Sequence, residues 1–179
     1  MALYRSSIGN GDRTMKYALF LAAAAIGIST AAVAAPASPG LVGAVKAAER
    51  HAKGQAIEAD LDTLRSGRRV YEVDVLTRGT LREVTVDAAS GKVLRTSRQR
   101  VEGWFWGTDR LTSALRGARP LADLLREAEA RSGGKVVDVE LDIEGGRARY
   151  EVELSTAAGI AGIYLDPQTG RRLAFVVDD

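Results

Sequence analysis

The chain repeats itself, and that repeat limits its fold more than anything else in the sequence. Tyr71-Glu72-Val73-Asp74-Val75 returns 79 residues later as Tyr150-Glu151-Val152-Glu153-Leu154. Val86-Asp87-Ala88-Ala89-Ser90-Gly91-Lys92-Val93 returns as Leu165-Asp166-Pro167-Gln168-Thr169-Gly170-Arg171-Arg172. Each copy reads as a strand, a second strand and an Asp-x-x-Ser/Thr-Gly turn into a third. A period of this length sets the domain plan before any local reading does.

In the first copy, Ser38-Pro39 predicts an N-cap followed by proline at the first helical position. Leu41, Val42, Val45, Ala48 and Ala52 then recur at helical spacing, with Lys46, Glu49, Arg50 and Lys53 on the outward face. Gly54 ends the helix. Ile57, Ala59 and Leu61 alternate with Glu58, Asp60 and Asp62, the pattern of a strand with one wet face. Arg65-Ser66-Gly67-Arg68 turns the chain into a strand with Tyr71, Val73 and Val75 on its apolar face. After a turn at Arg78-Gly79, Val84 and Val86 lead to Asp87, whose side chain can accept backbone N–H bonds while Gly91 takes positive φ. A last strand runs through Val93 and Leu94 towards Val101.

Gly103-Trp104-Phe105-Trp106-Gly107 interrupts this plan and holds both tryptophans of the chain. A short helix is predicted from Asp109 to about Arg116, broken at Gly117 and Pro120. Leu121, Leu124, Leu125 and Ala128 then mark the second repeat's helix. Val137, Val139, Leu141 and Ile143 alternate with Asp138, Glu140, Asp142 and Glu144, the clearest strand signal in the sequence. Gly145-Gly146 forms a hairpin turn one residue shorter than its counterpart around Gly67. Strands at Ala148–Leu154 and Ile160–Leu165, the Asp166–Gly170 turn and a strand through Leu173, Phe175 and Val177 complete the copy. The expected fold class is α+β: two tandem repeats, each a helix packed on a small antiparallel sheet of three or four strands. Repeat 1 covers 38–101, an aromatic linker 102–119, and repeat 2 120–179.

Ahead of the repeats, Met15-Lys16 precedes an apolar run from Tyr17 to Ala35 that ends in Ala32-Val33-Ala34-Ala35-Pro36. Basic residues, a short apolar region and an Ala-x-Ala site are the three parts of a secretory signal, with cleavage expected after Ala34. Residues 1–14 read as upstream text ahead of a start at Met15. The run is alanine-rich and broken by Ser29 and Thr30, a poor stable membrane span. The expected location is therefore periplasmic or secreted. The leader also accounts for the sequence pI of about 9.0. From Pro36 onward the chain has 22 basic and 22 acidic residues. No dense basic face is left for nucleic acid. The charge is nevertheless uneven: residues 41–120 hold 15 basic and 10 acidic side chains, residues 121–179 hold 7 and 12. There is no cysteine, which excludes disulfides and thiolate chemistry.

The helix, the acidic alternating strand, the Tyr-Glu-Val-x-Val/Leu strand and the Val/Leu-Asp-x-x-Ser/Thr-Gly turn occur in that order, twice. The ordered set resembles the PepSY domain of peptidase propeptides and short bacterial envelope proteins, over most of 41–98 and 121–178. The resemblance implies a non-catalytic role, binding and restraining an envelope or secreted protein such as a peptidase. It supplies no catalytic residues and no cofactor. No catalytic domain follows the repeats, so restraint would act on a separate protein.

Site chemistry in the sequence is sparse. His51 is the only histidine and reads as a surface helix residue, too little imidazole for a triad or metal centre. The carboxylates sit at i, i+2 spacing on wet strand faces, where the spacing gives no reason for a raised pKa. No phosphate loop is present, and the chain reads as a non-enzyme. Asp138, Glu140, Asp142 and Glu144 form a face for a cation or a basic partner, or else a solvated face paired with Arg147 or Arg149 across the hairpin. Four carboxylates along one strand are too linear to wrap Ca²⁺ without ligands from another element. Arg95, Arg98 and Arg100 read as a charged edge strand. Trp104, Phe105 and Trp106 either fill the junction between repeats or anchor a partner. The rival functional reading is a small-ligand or divalent-cation sensor, and a third is a module that self-associates through sheet edges.

Overall fold

A computed structural model of the chain describes residues 38–99 and 107–173. The first helix, α1 (Gly40–Ala52), buries Leu41, Ala44, Val45 and Ala48, the stripe its 3.6-residue period places on one side. Its start departs from the expectation. Pro39 itself takes the cap position, with no side-chain cap. Ser38 Oγ instead donates to the Ala88 carbonyl at 2.7 Å. The helix start thus leans on the Asp87–Gly91 turn, where a Cβ on Gly91 would lie 3.2 Å from the Pro39 ring. At the other end Lys53 is left-handed (φ 56°). Gly54 follows because a Cβ there would lie 2.3 Å from the Leu76 carbonyl oxygen of the passing strand.

Four antiparallel strands follow: β1 (Gln55–Thr63), β2 (Arg69–Thr77), β3 (Thr80–Asp87) and β4 (Val93–Arg98). After a short helix α2 (Gly107–Ala114) the plan recurs as α3 (Leu121–Ser132), β5 (Lys135–Glu144), β6 (Arg147–Thr156), β7 (Gly159–Leu165) and β8 (Arg172–Leu173). Each repeat therefore contributes a helix and four strands, and the fold is α+β. The tight turns Arg78-Gly79 and Gly145-Gly146 carry positive φ at both residues, the geometry that matches the twist of the flanking strands. Matching bulges leave Ile57 and Val137 without a cross-strand partner. Ala56 and Ala59, rather than Ile57 and Ala59, therefore align with Val75 and Val73 of β2.

The two sheets are joined edge to edge in the order β4-β3-β2-β1-β5-β6-β7-β8. The joint is an antiparallel β1–β5 contact with the register Glu58↔Glu140 and Ala59↔Val139. Ala59 and Val139 occupy equivalent positions of the two repeats, so a local twofold axis passes between them. The helices cover one side of this sheet over a continuous core. Leu41 and Val45 of α1, Leu111 of α2 and Leu121, Leu124 and Leu125 of α3 pack with Val73, Val84, Val139, Val152 and Leu165 of the strands.

Polar ties cross the joint beneath the helices. The fully buried Tyr150 donates from its hydroxyl to the Ala56 carbonyl at 2.9 Å and accepts from Gln55 Nε2 at 3.3 Å. Gln55 Nε2 also donates to the Arg119 carbonyl at 2.9 Å. Glu49, expected on the outward face of α1, turns inward. Its carboxylate accepts from the amides of Ala56 (3.3 Å), Leu121 (3.0 Å) and Ala122 (3.5 Å). It thereby satisfies amides at the start of β1 and of α3, groups that a helix cannot satisfy internally.

Candidate interface on the acidic sheet face

The side of the sheet away from the helices is built from the polar halves of the alternating strands. Cross-strand register places carboxylates level with one another along one row: Glu83 opposite Asp74, Asp74 opposite Glu58, Glu58 opposite Glu140, and Glu140 opposite Glu151. A second row runs beside it, with Glu72 opposite Asp60 and Asp138 opposite Glu153. The first row crosses the β1–β5 joint at Glu58 and Glu140, so both repeats contribute to one acidic surface. Glu140 and Glu151 are exposed, while Glu58, Asp60, Asp74 and Asp138 are half-buried.

This arrangement overturns the expectation that nothing there raises a carboxylate pKa. Burial pushes Glu58 up to about 7, reinforced by Asp74, Glu140, Asp60 and Asp138. Asp74 is pushed up to about 6 by burial and then by Glu83 and Asp60. Glu72 is raised for the same kinds of reason, with burial first and Glu83 next. Spacing along one strand shows only i, i+2 neighbours. Burial acts first, and the charged neighbours that follow it come mostly from adjacent strands, for Glu58 first Asp74 on β2 and then Glu140 of the other repeat.

Of the four β5 carboxylates singled out in the sequence, the outer two are paired. Arg149 binds Asp142 at 2.7 Å and Glu144 at 3.0 Å while its guanidinium lies 4.5 Å from the Tyr164 ring centroid. Glu140 stands in the row that crosses the joint, and Asp138 in the row beside it. Among the described residues no group of three or more His, Cys, Asp and Glu side chains is arranged to hold a metal ion. The extended spacing gives the physical reason. His51 is exposed near the end of α1, and Arg95 and Arg98 are exposed on the edge strand β4. Arg100, Trp104, Phe105, Trp106, Phe175, Val177 and the leader lie outside the described residues.

The two Asp turns follow their predicted chemistry. Asp87 Oδ1 accepts from the Ser90 amide (2.7 Å) and hydroxyl (2.5 Å), and Oδ2 pairs with Arg68 at 2.7 Å. The Ser90 hydroxyl, then Arg68 and the Ser90 amide, hold Asp87 down to about 2. Asp166 Oδ1 likewise accepts from the Thr169 amide (2.7 Å), the Thr169 hydroxyl (2.8 Å) and the Gln168 amide (3.0 Å). Burial pushes Asp166 up, yet those bonds outweigh it and leave the carboxyl below its usual range. Gly91 and Gly170 close the turns at φ 70° and 69°. These acids are structural.

A cleft of about 310 Å³ lies where α1 meets the start of α3, lined by Lys46, Glu49, Arg50, Gln55, Pro120 and Asp123. Glu49 already supplies the negative charge that a helix start attracts. The sequence does carry one signal for this role. Glu129, its equivalent in the second repeat, accepts from the Val136 amide at 3.1 Å just as Glu49 accepts from Ala56.

The family model described as "Peptidase propeptide and YPEB domain", PepSY, matches residues 44–96 and again 120–174, more than half of the chain. The chain belongs to the PepSY family. The first match runs from within α1 to within β4, and the second from just before α3 to one residue past β8. The tandem PepSY arrangement read from the repeated text is therefore the arrangement present. No curated protein matches the sequence. Among solved structures, a lipoprotein candidate from Clostridium difficile 630 is similar at 16% identity and a TM-score of 0.43. That alignment covers 73% of this chain and 88% of the other, a likeness too loose to carry fold or function across. No helix among the described residues is long and apolar enough to cross a membrane.

Proposed function

We propose that this PepSY protein is an exported, non-catalytic binding module that docks a basic surface of a partner protein on its acidic sheet face. A peptidase is the partner class that the family description favours. The observation that carries the reading is the carboxylate row that runs from Glu83 on β3 through Asp74, Glu58 and Glu140 to Glu151 on β6, across the joint between the repeats. A surface of one sign accelerates encounter with a partner of the opposite sign and disfavours wrong partners. The leader read from the sequence supports export. Trp104, Phe105 and Trp106 stay with this proposal as anchor candidates at the linker.

The test is titration of a secreted thermolysin-like peptidase with the full chain, following peptide hydrolysis at low and high salt. The expected result is stoichiometric loss of turnover that weakens with salt. Reversing the exposed charges with Glu140→Lys and Glu151→Lys should weaken it further. Full turnover at tenfold excess of the chain would remove the peptidase from the proposal. Inhibition indifferent to both salt and charge reversal would remove the acidic face.

A further inference from the structure

The joint between the repeats is a short strand pairing in which acids of the two repeats meet. Its register is two residue pairs long, as at the β7–β8 edge, against eight in β1–β2 and nine in β5–β6. One of those two pairs sets carboxylate against carboxylate, Glu58 against Glu140. Like charges directly opposite on a sheet destabilise the pairing. Asp138 is the equivalent of Glu58 and Asp60 that of Glu140, so each repeat brings the same two acidic positions to the joint.

The surroundings of Glu58 are acidic from every neighbouring strand. Asp74 stands opposite it on β2 with Glu72 diagonal, Glu140 opposite on β5 with Asp138 diagonal, and Asp60 two residues along β1. One strand further out are Glu83 on β3 and Glu151 and Glu153 on β6. Of the two β6 cations on this face, Arg149 is engaged by Asp142 and Glu144 at the far end of β5, and Arg147 stands opposite Glu144. Helices α1 and α3 pack on the opposite side of the sheet.

We propose that the β1–β5 joint is a proton-operated latch, in which carboxylate repulsion across Glu58 and Glu140 loosens the union of the two repeats at neutral pH and mild acid tightens it. The proposal does not depend on what the chain binds. The direction of the linkage follows from proton counts. Glu58 titrates at about 7 in the folded chain against 4.5 unfolded, so between those values the folded state holds more protons. Stability from this group is fully present below about pH 4.5 and is lost as pH rises through 7. Asp74, at about 6 against 3.8 through burial, Glu83 and Asp60, adds to the stability of repeat 1 in the same direction. Asp87 acts oppositely, but its contribution is lost only as pH falls through about 2. The joint is therefore tightest near pH 4–5.

The test is amide hydrogen exchange of the full chain at pH 5.5 and 7.5, corrected for the intrinsic rate, with thermal unfolding over the same range. Protection at the β1–β5 amides should rise about tenfold at the lower pH, the equivalent of about one pKa unit. Amides of the outer strands β3 and β7 should change less. In Glu58→Gln/Glu140→Gln the joint should be protected at pH 7.5 as it is in the parent at pH 5.5, and its pH response should flatten. Should that pair fail to fold, Glu140→Gln alone removes the repulsion from an exposed position. Equal protection at the two pH values, or a gain spread evenly over all eight strands, would overturn the proposal. So would a Gln variant that keeps the parent's pH response.

Discussion

Tyr71 and Tyr150 occupy the same position in the two repeats, yet only one of them ties the halves together. Tyr150 is fully buried, its hydroxyl donating to the Ala56 carbonyl and accepting from Gln55. Tyr71 is half-buried, and among the described residues its hydroxyl has no hydrogen-bond partner. Replacing Tyr150 by Phe keeps the ring in the core and removes one buried donor. The carbonyl of Ala56, a fully buried residue, then loses that donor. An unmade bond of this kind costs about 1–3 kcal/mol, with about 2 as the working value. For a folded unit of this size that is about 6–8 °C in Tm. Tyr71→Phe should stay within about 0.5 kcal/mol of the parent. The assay is urea unfolding of both variants followed by circular dichroism, with unchanged m-values confirming that only stability moved. Two variants of equal stability would refute the reasoning, because they would show the Tyr150 hydroxyl carrying no tie between the repeats.

Four further perturbations test the frame. Gly54→Ala should cost more than about 2 kcal/mol, because its Cβ would collide with the Leu76 carbonyl. Gly162→Ala, with open space around it and no positive φ, should be neutral in the same thermal melt. Asp166→Ala should cost about 1–2 kcal/mol in urea by removing the acceptor for Gln168 and Thr169. Leu125→Ala should cost about 2–5 kcal/mol, since α3 fully buries that side chain. A smaller loss in calorimetry would mean that the helix does not seal the core.

What the sequence shows is what depends on neighbours along the chain. The apolar stripes of α1 and α3, the strand alternation, the positive-φ glycines and the acceptor role of Asp87 and Asp166 are all set within about ten residues, and each is present. What it hides depends on neighbours across the sheet. Glu49 has the spacing of an outward helix residue, and only its approach to Leu121 and Ala122, more than seventy residues away, makes it a cap. Glu58 is likewise an ordinary wet-face acid until the sheet buries it beside Asp74 on β2 and Glu140 on β5. The Ile57 and Val137 bulges were also invisible, since alternation continues in the text after the backbone has slipped by one residue.

The twofold relation at Ala59 and Val139 gives a single repeat an unusual property: its first strand is complementary to itself. Released from its neighbour, such a repeat would expose that edge and could satisfy it with another copy in the same register, as in an isologous homodimer. The tandem chain is thus arranged as a dimer whose protomers share one backbone. Tethering replaces a concentration-dependent encounter with an intramolecular one, at an effective concentration that short linkers set in the millimolar range. A joint as short and as charge-burdened as Glu58 against Glu140 can then persist at dilutions where two separate repeats would part.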